Sequence, residues 1–277
     1  MGLSLAYALL QAEAVDEVTI CGRRPDPPSH PLFGQDLARY VFGLEPPGHD
    51  TTAVILAVPD GTLREISEAL AAQGEPPPEC AAFHVSGALG TDPLEALHLR
   101  GYSVGTMHPL QTVANPVTGA ERLPGSYFAI SGEPTALAVA RRLIRSLGSP
   151  VITVPLLRRP VYHAAAVLAS NCLTGLVSAA VRVLSQTGVS EEEALRALLP
   201  LARGTLDNIA EMGAANALTG PVARGDVETV KLHLRALDAR ERSLYAAMGR
   251  EIVHLALEAG LDEELAGEIF EVLGREI

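Results

Sequence analysis

The spacing of apolar residues changes period once along this chain, near residues 154–157, and that change limits what the chain can fold into. Before it, short apolar runs alternate with stretches whose apolar residues recur every three or four positions. Residues 53–58 (Ala-Val-Ile-Leu-Ala-Val) contain no polar side chain, as expected of a strand covered on both faces. Shorter runs predict strands over 15–20, 81–85, 103–107, 127–131 and 151–154. Helical spacing predicts helices over 1–12, from Thr62 to about 72, and from Pro134 to 147, the last closed by Gly148. Residues 25–50 are rich in Pro and Gly and predict no clear element. After Pro155 no strand pattern returns. Helices are expected over about 157–187, 190–202, 204–212, 226–259 and 262–275. Ser190 with Glu193 makes a capping box, and Asp226 and Asp262 suit N-caps. The expected fold is therefore an α/β domain with a mostly parallel sheet, residues 1–154, followed by an all-α domain, residues 155–277.

Composition narrows the function. Of 277 residues, 48% are apolar and 19% charged, which supplies packed cores and argues against disorder. The net charge is −12, from 21 Lys and Arg against 33 Asp and Glu, so nucleic acid is not an expected partner. Lys231 is the only lysine, leaving a single candidate for Schiff-base chemistry. Cys21, Cys80 and Cys172 are far apart and form no C-x-x-C, so neither a disulfide framework nor a cysteine-only zinc site is expected. His and carboxylates show no ligand spacing either, and no metal is expected. Free thiols and the lack of a basic segment leading into an apolar one at the N-terminus predict a cytoplasmic setting.

Residues 160–181 carry no formal charge and are long enough to span a bilayer. His163, Ser170, Asn171, Thr174, Gly175 and Ser178 would be costly in lipid. The expectation is a buried helix of a soluble protein, covered in a homodimer through the helical domain, and no membrane.

The beginning of the chain resembles part of a dinucleotide fold. Such domains open with a strand, a glycine-rich turn and a helix whose N-terminus meets the pyrophosphate. Here Met1-Gly2-Leu3-Ser4-Leu5-Ala6 matches only the tail of G-x-G-x-x-G, with Gly2 as the third glycine, and the first strand and first two glycines are expected to be missing. At the end of the next strand an acid favours NAD and an arginine accommodates the NADP phosphate. The chain has Cys21-Gly22-Arg23-Arg24 there, so Arg23 and Arg24 predict NADP over NAD.

Several motifs resemble one bacterial family: Ala57-Val58-Pro59-Asp60, His84-Val85-Ser86-Gly87-Ala88-Leu89, His108-Pro109-Leu110-Gln111-Thr112, Tyr162-His163-Ala164 through Ser170-Asn171, and Ala217-Leu218-Thr219-Gly220-Pro221 through Arg224-Gly225-Asp226. In this order they are similar to Rossmann-like oxidoreductases with a C-terminal helical domain of unknown function. Those group with the pyrroline-5-carboxylate reductase and 6-phosphogluconate dehydrogenase-like enzymes. The resemblance implies a Rossmann-like domain, a helical domain of the 6-phosphogluconate dehydrogenase C-terminal type, and hydride transfer between NADP and a small carbonyl, imine or hydroxy substrate held between the domains. Non-catalytic nucleotide binding or regulation is the alternative.

In an open parallel sheet, ligands bind outside the carboxyl ends of the strands. Val58, Pro59 and Asp60 end one strand, and related reductases run the cofactor past this turn. Ser86 and Gly87 end the next, where Ser86 can hydrogen-bond and Gly87 admits a close ligand. His84 is expected in the core. His108 ends a third strand and is a candidate proton donor, with Gln111 either on substrate or bracing the loop. His163 and Asn171 are eight residues apart, about 2.2 helical turns, and can share a face. Related dehydrogenases carry a lysine four residues before the Asn; Val167 stands there, which leaves the proton to His163 or His108. Thr219 and Arg224 lie in the last motif, whose family pattern favours lining the substrate site. The physics alone leaves Arg224 between an anionic substrate and a carboxylate partner.

Overall fold

The computed structural model describes residues 1–274 and divides into two compact units, Met1–Ser170 and Asn171–Ile277. The first contains α1 (Gly2–Gln11), β1 (Thr19–Gly22), α2 (Pro31–Gly34), β2 (Arg39–Phe42), β3 (Ala53–Leu56), α3 (Leu63–Ala71), β4 (Ala81–His84), α4 (Glu95–Leu99), β5 (Ser103–Pro109), α5 (Pro116–Glu121), β6 (Phe128–Gly132), α6 (Pro134–Ser146), β7 (Val151–Thr153) and α7 (Arg159–Val167).

Five strands form one sheet in the order β3-β4-β5-β6-β7, parallel throughout except where β6 runs antiparallel to β5. Strand side chains alternate between faces, so β4 feeds two cores. Ala81 and Phe83 pack with Leu5 and Leu9 of α1 and Ala140 and Leu143 of α6. Ala82 packs on the other side with Leu63 and Leu70 of α3 and Leu97 of α4. All four residues of β4 are buried. Cover on both faces was expected of the apolar run 53–58 instead, and there β3 buries only Leu56 and leaves Ala53, Val54 and Ile55 half-covered.

β1 and β2 pair in parallel as a separate two-stranded sheet. Residues 25–50 thus hold two elements that composition hid. His30 caps α2, its Nδ1 accepting from the Leu32 N–H at 3.2 Å, and Pro31 occupies the first helical turn. β2 is short and only half-covered, so no apolar run marks it. Among the described residues β1 pairs only with β2, and β3 only with β4; the doubly wound order places one strand between two such neighbours. Helix α1 starts against the chain just past β3. A Cβ on Gly2 would lie 2.8 Å from the Ala57 Cβ, so the bare glycine permits that approach.

One π-helical turn, Leu168–Cys172, leads into the second unit, which holds α8 (Leu173–Ser185), α9 (Glu191–Met212), α10 (Ala214–Ala217), α11 (Val227–Ala236), α12 (Ala239–Glu258) and α13 (Glu263–Gly274). Its core joins Val230 and Leu234 of α11, Val253 and Ala256 of α12, and Ile269 and Leu273 of α13. Two boundaries differ from expectation. Residues 190–212 make one helix that continues through Pro200. Residues 226–259 make two, because Asp238 accepts from the N–H groups of Arg240 and Glu241 and starts α12 anew. The caps at Ser190, Asp226 and Asp262 form as the spacing implied. Residue 275, the last of the expected final helix, lies outside the described residues.

The units divide inside the long apolar helix, at Ser170 and Asn171, whereas the period changes at 154–157. The cause is local: Arg159 at the start of α7 is fully buried against the strands of the first unit. The expectation of a buried helix is corrected within the chain. The helical stretch Leu156–Ser185 is long and apolar enough to cross a membrane, yet only 11% of its most apolar window is buried. Leu157, Val161, Leu168 and Leu176 are exposed.

Candidate functional site at the carboxyl ends of β3, β4 and β5

Because β3, β4 and β5 are parallel, the residues that leave them share one rim of the sheet. His84, the last residue of β4, is fully buried. Its Nδ1 accepts the Ser86 N–H at 3.1 Å, so its Nε2 carries the proton and donates to the Gly90 carbonyl at 2.7 Å. Burial, aided by the charge of Arg159, lowers its pKa and keeps the ring neutral.

Ser86 follows in the turn. Its hydroxyl donates to Asp60 Oδ2 at 2.8 Å and accepts from the N–H groups of Ala88 at 3.3 Å and Leu89 at 3.2 Å. Its carbonyl accepts from Arg159 Nη2 at 2.6 Å. The hydrogen-bonding capacity of this serine is therefore used inside the chain. Gly87 comes next, and the space a side chain would fill is taken by histidines: a Cβ there would collide with His163 Nδ1 and stand 3.0 Å from His108 Nε2.

His108, near the end of β5, places Nδ1 2.7 Å from the Tyr162 hydroxyl of α7. Its ring stands edge-on to Tyr162 and to His163, with centroids 5.6 and 5.8 Å away. Burial first, then the charges of Arg159 and His163, push its pKa down to about 4; Asp60 opposes them. His163 Nδ1 is buried without a hydrogen-bond partner among the described residues. Burial raises the Tyr162 pKa, while Arg159, 5.5 Å from the ring centroid, works to lower it. The result is a half-buried rim where a neutral imidazole and a protonated phenol share one hydrogen bond beside a second imidazole whose Nδ1 is unpartnered among the described residues.

Five of the expected residues thus meet: Asp60, Ser86, Gly87, His108 and His163. Val58 and Pro59 lead from β3 into the 3-10 turn Asp60–Thr62 beside them. Gln111 braces its own loop, accepting from the Thr112 N–H at 2.8 Å and donating to Ser126 Oγ at 3.1 Å. Arg23 and Arg24 are exposed beyond β1, where the Tyr40 hydroxyl donates to the Arg24 carbonyl at 2.6 Å. Asn171 in the π turn, Thr219 after α10 and Arg224 beside Asp226 are exposed in the second unit. Among the described residues no cluster of three or more His, Cys, Asp or Glu is placed to hold a metal.

Sequence reasoning missed Arg159 and gave Tyr162 no role of its own. Arg159 is the last charge before the uncharged stretch, and Tyr162 adjoins His163; only packing shows that both turn toward β4 and β5.

Residues 126–252 match the model of a Domain of unknown function (DUF2520). No curated protein matches the chain. Three solved structures illustrate the fold. A Thermotoga maritima protein is 21% identical, with 97% of this chain and 95% of that one covered and a TM-score of 0.63. A Plasmodium falciparum pyrroline carboxylate reductase with NADP bound is 12% identical, with coverage of 98% and 94% and a TM-score of 0.60. An imine reductase from Pseudomonas is 18% identical, with coverage of 99% and 89% and a TM-score of 0.53.

Proposed function

We propose that this chain, which has the fold of Rossmann-like reductases, is an NADP(H)-dependent oxidoreductase acting on a small carbonyl or imine, or on the corresponding hydroxy or amino compound. The observation that carries this reading is the His108–Tyr162 hydrogen bond of 2.7 Å at the carboxyl rim, with His163 Nδ1 unpartnered beside it. The similar fold of a reductase with NADP bound supports the cofactor.

The residues present fit that cofactor at two places. The N-terminus of α1 lies against Ala57 at the rim, where a helix end favours a pyrophosphate. The guanidinium groups of Arg23 and Arg24 make no hydrogen bond or ion pair among the described residues and can take the additional phosphate of NADP. When bound, the cofactor supplies or accepts the hydride.

The protein's own chemistry is proton handling. With Tyr162 donating to His108 Nδ1, the His108 Nε2–H is the free donor and points toward Gly87 and His163. As His108 gives that proton to a substrate oxygen or nitrogen, Nδ1 takes the Tyr162 proton, and the nearby Arg159 guanidinium favours the phenolate. His163 Nδ1 orients the same substrate atom. Val167 stands where related dehydrogenases have a lysine, so this pair takes the proton role. The cytoplasm and a homodimer complete the reading; the exposed Leu176, Leu195, Leu201, Leu206, Ile209 and Met212 of α8 and α9 support a self-covering face.

The test is NADPH and NADH titration of the intact chain by cofactor fluorescence, followed by turnover of cyclic imines and small ketones. NADPH is expected to bind more tightly, and Arg23→Ala with Arg24→Ala to remove that preference. Tyr162→Phe and His108→Gln are expected to lower kcat by about 100- to 10,000-fold. Failure to bind either nucleotide overturns the proposal. Tight binding without turnover of any carbonyl or imine supports the non-catalytic reading instead.

A further inference from the structure

We propose that Arg159 is a positioning residue of this site: its buried guanidinium clamps the turn after β4 onto β6 and sets a fixed positive charge beside the His108–Tyr162 pair. The inference rests on the proposed proton chemistry for its meaning, though not for its test.

The clamp is direct. Arg159 Nη2 donates to the Ser86 carbonyl at 2.6 Å and Nη1 to Ser131 Oγ at 3.3 Å, and Ser131 Oγ donates to the Val154 carbonyl at 2.5 Å. One side chain at the start of α7 therefore ties together the turn after β4, the strand β6 and the chain beyond β7. Ser86 in turn holds Asp60 and, through its N–H, the Nδ1 of His84. Displacement of Arg159 frees the turn that carries Gly87, on which the His108 and His163 rings rest.

The charge is unusual for so buried a group. Arg159 is fully buried, and among the described residues its Nε has no partner and it makes no ion pair with a carboxylate. Burying a cation on two neutral acceptors costs stability, and a neutral side chain could bridge strands with less penalty. The charge therefore needs a local use. The titratable groups around it are Tyr162 and His163 from α7, His108 from β5, His84 from β4 and Asp60 from the turn after β3. A positive charge there opposes protonation of His84 and His108 and favours ionisation of Tyr162. Both effects drive the proton from Tyr162 through His108 rather than leaving it on the imidazole.

The experiment is a proton NMR titration of the histidine Cε1–H resonances of the intact chain from pH 3.5 to 8, for wild type, Arg159→Met and Arg159→Lys. The His108 midpoint is expected near 4 in the wild type, at least one pH unit higher in Arg159→Met, and restored by Arg159→Lys, which keeps the charge without the two-point clamp. A role confined to packing would not reproduce that rescue by charge. An unchanged midpoint in folded Arg159→Met overturns the proposal. Should Arg159→Met not fold, Arg159→Lys decides: a midpoint that stays low supports the charge, and one that rises to the ordinary histidine value overturns it. A chain that shows these shifts yet reduces nothing would overturn the reductase reading and leave the role of Arg159 standing.

Discussion

Strand β4 and the helical stretch Leu156–Ser185 are both apolar, yet they meet opposite fates. All four residues of β4 are buried between two helical layers. Of the most apolar window of the helix, 11% is buried. The difference is one of partners. A central strand is hydrogen-bonded on both sides and covered on both faces by the chain's own helices. A helix has no obligate lateral partners, and its apolar surface can wait for a second molecule. Lack of charge predicts that a segment avoids water without saying what it packs against.

The largest test of this contrast pairs one substitution from each region. Phe83→Ala in β4 is expected to cost about 3–5 kcal/mol in urea unfolding of the intact chain. Leu201→Ser, on the exposed face of α9, is expected to change the stability of a single chain by no more than about 0.5 kcal/mol, while lowering the mass seen by light scattering. A large stability loss from Leu201→Ser at protein concentrations where only single chains exist would erase the contrast.

Acid sharpens it next. In the folded state His108 has its pKa lowered to about 4, mainly by burial, against about 6.5 when unfolded. The unfolded chain therefore binds more protons between those values, and stability falls as pH drops through that window. The contribution is fully present above pH 6.5, and about 3 kcal/mol is lost on descending to pH 4. His84 shifts in the same direction. Denaturant unfolding at pH 7 and pH 4 checks this, and His108→Gln is expected to flatten the difference.

The smallest expected loss of single-chain stability, apart from the near-neutral Leu201→Ser, belongs to the helical unit. Ser190 accepts the Glu193 N–H at 3.2 Å, and Ser190→Ala is expected to cost about 1 kcal/mol. The cost is that of a helix end alone, since Ser190 is exposed.

Much of this was legible in residues. Strand–helix alternation up to 155 and helices alone beyond it are matched by the strands and helices observed. The caps at Ser190, Asp226 and Asp262 announced themselves, because a side-chain oxygen three residues before an amide is a local arrangement. So did the rim position of Asp60, Ser86, Gly87 and His108, which follows from strand ends in a parallel sheet; His163 reaches the rim from α7, through packing. β2 went unread because four half-covered residues leave no periodic trace, and the restart at Asp238 because its neighbours keep helical spacing on both sides.

What the sequence by itself determined was the strand–helix alternation before residue 155, the helices beyond it and the rim at which strand-end polar residues gather, since these depend on periods and on residues a few positions apart. Tertiary structure alone decided that Arg159 lies buried under Ser86, that Tyr162 meets His108 across 54 positions, and that Gly87 is bare to make room for imidazoles. Those contacts join distant segments, and no local pattern records them. They exist only once the sheet has brought the ends of β4 and β5 against the first turn of α7.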